Sequence, residues 1–186
     1  MARLDPIPRE RMTEDQIRIN DEITSTRGGG MAGGPFALWL RTPELADHAN
    51  QFGTYLRHQT SVPQRLVELA VLTIARHWTA QYEWFVHARY IEKVGLDPAI
   101  MEAIRTNRQP DITADDEQAV YALTTELHDQ RTVSEGTYAR AVELLGEQTV
   151  LELVTIIGFY TMVAMVLVSF RVDVPGGGAS PLPVDA

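Results

Sequence analysis

The chain has 186 residues, of which 45% are hydrophobic and 22% charged, with a formal net charge of −9 and no cysteine. That length and balance fit one globular domain with a sizeable core. The negative charge and scattered Lys and Arg argue against nucleic acid as a partner, and the missing cysteines exclude disulfides, thiol nucleophiles and thiolate metal sites.

The first dozen residues carry Pro6 and Pro8 and read as an extended arm. They contain no apolar run of the secretory kind, so a cytoplasmic location is the expectation. Thr13 with Gln16 three residues on forms a capping-box pattern, predicting a helix to about Arg27. Residues 1–32 are thus an N-terminal arm and helix. The glycine-rich stretch 28–36, GGGMAGGPF, cannot stay helical cheaply. It reads either as a flexible loop or as a movable wall over a pocket, since Met31, Phe36 and Trp39 seek burial.

Thr42-Pro43-Glu44 opens a helix to about Gln59, and Ser61-Val62-Pro63 opens the next. In that next helix Leu66, Leu69, Ala70, Thr73 and Ile74 recur at three- and four-residue steps. A break is expected at 77–79, then a helix over 80–94 that stops at Gly95. Asp97-Pro98 starts a short helix, and Asn107 to Ile112 is a polar loop. Thr113 is the expected cap of the following helix, whose first turn holds Asp115, Asp116 and Glu117. Two more helices cover 132–145 and 147–170. The apolar run 150–170 is long enough to span a bilayer at about 1.5 Å per residue. Glu152, Thr155, Tyr160, Thr161 and Ser169 interrupt it and Lys is absent from its flanks, so a buried or interfacial helix is expected and a membrane partner is not. The tail 173–186 is rich in Gly and Pro and reads as flexible. No segment shows strand alternation, and the expected fold is all-α with seven to eight helices. Residues 66–90 and 150–172 echo each other, with Glu68 and Glu152 in equivalent places, as two related helical hairpins would.

Polar groups are densest between Glu68 and His87. Glu83 and His87 are four apart on one helical face, within reach of a hydrogen bond that would orient the ring and raise its basicity. Glu68, from the preceding helix, could reach the same spot and act as a second acid–base group.

Residues 63–96, PQRLVELAVLTIARHWTAQYEWFVHARYIEKVGL, resemble the core motif of the carboxymuconolactone decarboxylase / AhpD-like family. The likeness extends over 33–172, with GGPFALWLRTPELADHA before the core and ELVTIIGFYTMVAMVL as the last helix. In the redox branch the pattern is Glu, about a dozen residues, then Cys-x-x-Cys-x-x-x-His. Glu68 and His87 match its Glu and His, whereas Ala80 and Glu83 stand at the two cysteine positions. Thiol-based hydroperoxide reduction is therefore impossible for this chain. The resemblance implies an AhpD-like helical bundle assembling as a homo-trimer or homo-hexamer. It also implies a cofactor-free acid–base enzyme that decarboxylates or isomerises a small unsaturated lactone or oxo-acid. The expected catalytic residues are His87, Glu83 and Glu68. Tyr82, His77 and Arg76 are the expected polar contacts to the substrate, and Trp39, Phe36, Trp78 and Trp84 the apolar walls. The alternatives are a non-catalytic ligand-binding or assembly protein, and a metal-dependent enzyme using Glu68, His77, Glu83 and His87; no metal is assigned in the leading reading.

Overall fold

A computed structural model describes residues 2–27 and 31–183, and among these every regular element is helical. In chain order the α-helices are α1 (Glu14–Arg27), α2 (Pro35–Trp39), α3 (Pro43–His58), α4 (Gln64–His77), α5 (Gln81–His87), α6 (Ile91–Val94), α7 (Pro98–Arg105), α8 (Asp115–Asp129), α9 (Glu135–Leu145) and α10 (Glu147–Ser169).

Local chemistry sets many of these boundaries. At α1 the capping box closes as expected: Thr13 N donates to Gln16 Oε1 at 2.9 Å and Gln16 N to Thr13 Oγ1 at 3.3 Å. Asp97 caps α7 by accepting from Ala99 N at 2.8 Å. Gly95 ends α6 in the left-handed region at φ 78°. Elsewhere the boundaries shift. The expected helix over 80–94 is two α segments joined by a 3-10 turn, Ala88–Tyr90. A short helix, α2, stands where a loop was read. Thr113 is not the cap of α8; Ala114 takes that place, and Glu117 N is met by Asp116 Oδ1 at 2.8 Å. Ser134, rather than Thr132, begins α9 by accepting from Thr137 N.

The core is built around α4. Every residue from Leu66 to Leu72 is buried, because the helix is enclosed by α5, α7, α8 and α10. Arg65 at its start ties it to α8 through Asp116 and Glu117. Two expectations change here. Glu152, the echo of Glu68, is not buried with an imidazole; it accepts from Ser61 N and Oγ, each at 2.6 Å. The tail is anchored: Leu182 is 1% exposed, its N–H donates to Gln81 Oε1 at 2.8 Å, and its carbonyl accepts from Gln81 Nε2 at 3.0 Å.

Among the described residues α10 is the one helix long and apolar enough to cross a membrane, and half of its most apolar stretch is buried inside the chain. Leu151, Val154, Met162, Met165 and Val168 are exposed on its outer side.

Candidate active site

Helices α4 and α5 run back on each other through the break at Thr79, where φ is 50°. This brings Glu68, in the second turn of α4, against His87, at the end of α5. His87 Nδ1 lies 2.7 Å from Glu68 Oε2, and both side chains are buried. With Glu68 as carboxylate, Nδ1 carries the proton and donates it into this bond. Nε2 is then left with a lone pair, the form a base requires. The other oxygen, Glu68 Oε1, is 4.0 Å from the Arg57 guanidinium of α3. The His87 ring packs edge-on to Tyr160 of α10, 5.2 Å between centroids.

Glu83 differs from the expectation. It does not hold His87: neither of its carboxyl oxygens has a hydrogen-bond partner among the described residues, although the side chain is 2% exposed. The i,i+4 spacing permits the contact, but Glu68 from the neighbouring helix occupies Nδ1. Burial without compensation pushes the Glu83 carboxyl well above the ordinary carboxylate range. Glu83 is thus a buried neutral acid one turn from a carboxylate-bound imidazole.

These groups line one cavity of about 840 Å³. Its walls include Phe36, Tyr82, Val86, Phe159 and Val163. The Gly33-Gly34 turn closes over Tyr82: a Cβ on Gly34 would lie 2.5 Å from the Tyr82 ring, and one on Gly33 would lie 2.8 Å from its hydroxyl. Gly34 also has φ 58° and ψ −131°, which only glycine adopts readily. Burial raises the Tyr82 phenol above its usual value, opposed by the charge of Arg89. Residues 28–30 of the expected wall lie outside the described residues.

The remaining expected contacts fall elsewhere. Trp39 and Trp84 are core residues, and Trp39 reaches the cavity only through Phe36, edge-on at 5.2 Å. Arg76 is buried two turns beyond Glu68 and donates to Thr79 Oγ1 at 3.3 Å. His77 and Trp78 line a separate groove beside α10, where the His77 ring meets that of His128 at 4.9 Å. Arg76, His77 and Trp78 lie on the far side of the Thr79 turn from Glu83, so their sequence proximity to it does not become spatial proximity to the cavity. In turn the cavity gains Arg57, Arg89, Lys93 and Tyr160, none of them assigned to the site from the sequence. Tyr82, Val86, Arg89 and Lys93 step by four, three and four, so the helical face that carries Tyr82 does continue to them. No group of three His, Asp or Glu side chains among the described residues is arranged to hold a metal ion.

No family model and no curated protein matches the sequence. Solved structures do. An uncharacterised peroxidase-related protein from Silicibacter sp. TM1040 superposes with a TM-score of 0.74 at 11% identity, covering 92% of this chain and 90% of its own. A protein of unknown function from Agrobacterium tumefaciens, named as a candidate antioxidant defence protein AhpD, gives 0.67 at 13% identity, covering 74% of this chain and 95% of its own. At these identities the likeness is one of architecture: the chain has the AhpD-like all-helical fold.

Proposed function

We propose that the cavity is the site of an acid–base enzyme that decarboxylates or isomerises a small unsaturated lactone or oxo-acid, as the resemblance to carboxymuconolactone decarboxylase suggests. The observation that carries this reading is the pairing of a Glu68-held imidazole with an uncompensated buried acid along one cavity with apolar walls. In a decarboxylation, the C–CO₂ bond breaks and its electron pair enters an extended enolate. That enolate needs a proton at carbon and a donor at oxygen. His87 first takes a proton from solvent at Nε2, the imidazolium being balanced by Glu68, and then gives it to the carbon that CO₂ has left. Glu83 donates to the developing oxyanion. The two glutamates thereby exchange the roles that spacing alone suggests. In an isomerisation, His87 takes the proton from one carbon and returns it to another.

The test is a screen of small lactones and oxo-acids for CO₂ release or double-bond migration, run with the wild type and His87→Gln. Loss of about 10²–10⁴ in turnover is expected for the variant. Unchanged turnover of every accepted compound overturns the assignment.

We also propose that copies of the chain associate through the outer side of α10, giving the homo-oligomer the resemblance implies. Its support is the stripe from Leu151 to Val168, which is apolar and uncovered, and Gly158 at its middle, where nothing approaches within 4 Å.

A further inference from the structure

The charges around the cavity are sorted by depth. Its inner end holds two buried carboxyl side chains, Glu68 and Glu83. Toward the surface the lining turns basic. Arg57 stacks over the Tyr90 ring at 5.0 Å, and Arg89 and Lys93 stand one turn apart, both exposed, beyond His87. Among the described residues, no Asp and no third Glu lines the cavity. Arg89 lies against the Phe85 ring at 5.0 Å, and neither it nor Lys93 has a carboxylate partner among the described residues. On a chain of net charge −9, such a rim departs from the surface average. Phe36, Phe159 and Val163, all buried, give the cavity apolar walls.

We infer that the cavity takes an elongated organic anion with an apolar body. Its carboxylate sits at the rim against Arg89 and Lys93, and a neutral carbonyl or lactone oxygen lies at the base against His87 and Glu83. This rests on the reading of the cavity as the reaction site. The reverse orientation would bring a second negative charge beside the buried Glu68 carboxylate, which already faces Arg57 at 4.0 Å. It would also spend the buried Glu83 hydroxyl on a group that the rim cations bind better. Arg89 and Lys93 then select the substrate through a carboxylate that the reaction retains, any carboxyl group lost being a second one beside the basal carbonyl, and they take no part in moving its proton.

Isothermal titration calorimetry with 4-acetylbenzoate and its neutral analogue 4-acetylbenzamide tests this on the wild type, the double variant R89Q/K93Q and H87Q. The acid is expected to bind the wild type about tenfold more tightly than the amide, less so as salt rises. The gap closes in R89Q/K93Q and persists in H87Q. Equal binding of acid and amide, no binding of either, or a gap unchanged in R89Q/K93Q overturns the inference. Those results leave the acid–base reading standing if H87Q still abolishes turnover. Normal turnover by H87Q with the acid–amide gap intact removes the acid–base reading alone.

Discussion

His87 Nδ1 and Glu68 Oε2 meet at 2.7 Å across 19 positions of sequence, while the carboxyl of Glu83, one helical turn before His87, has no hydrogen-bond partner among the described residues. Helix packing has decided between two carboxylates of equal chemistry. One is joined to an imidazole and to the edge of a guanidinium field; the other is enclosed without a partner. A buried carboxylate in that second position would cost several kcal/mol, so the group stays protonated.

Glu83 therefore makes stability depend on pH in a fixed sense. Its folded pKa is raised from the ordinary 4.5, so the folded chain holds a proton that the unfolded chain has released. Stability from this group is full below 4.5 and declines as pH rises toward the folded value, by up to about 1.4 kcal/mol per pH unit. Urea unfolding at a series of pH values should show this decline in the wild type and its absence in Glu83→Gln. Parallel curves for the two proteins would contradict it.

The cavity wall makes a second demand on sequence. Gly34→Ala places a methyl 2.5 Å from the Tyr82 ring and forces alanine into a glycine-only conformation. A loss of about 2 kcal/mol or more is expected on thermal unfolding. Combining it with Tyr82→Ala removes the clash but not the strain, so recovery should be partial. Full stability of Gly34→Ala would show that this turn does not rest on Tyr82.

Much of the fold was legible because its signals are local. The Thr13–Gln16 box, the Asp97 cap, and the stop at Gly95 each act within a few residues and stand where expected. The site was legible in membership more than in wiring: Glu68, Glu83, His87, Tyr82 and Phe36 all line the cavity. Which carboxylate holds the imidazole depends on how α4 crosses α5, and helical spacing does not encode that. Arg57 comes from α3, eleven residues before Glu68, and reads in sequence only as a basic residue in a last helical turn. Leu182 sits in a Gly- and Pro-rich tail whose composition signals freedom; its burial depends on Gln81, 101 positions away.

That clasp can be tested. Leu182→Ala should lower stability by about 2 kcal/mol, since a buried leucine side chain is lost. Gln81→Ala should expose the Leu182 amide to hydrogen exchange. A tail that moved freely would show neither effect.

The apolar face of α10 gives a further expectation. The wild type should form an oligomer by light scattering at micromolar concentration without detergent. L151E/M165E, altering two exposed positions, should shift it to monomer while folding normally. A monomeric wild type, or a variant that assembles as before, would contradict association through this face.

The arrangement on which the proposed chemistry depends is an imidazole protonated at Nδ1 and bare at Nε2. Long-range ¹H–¹⁵N correlation of the His87 ring reads this without a substrate. The account predicts the Nδ1–H tautomer in the neutral ring of the wild type, with that preference weakened in Glu68→Gln. A His87 ring found as the Nε2–H tautomer, indifferent to the loss of the Glu68 charge, would contradict it.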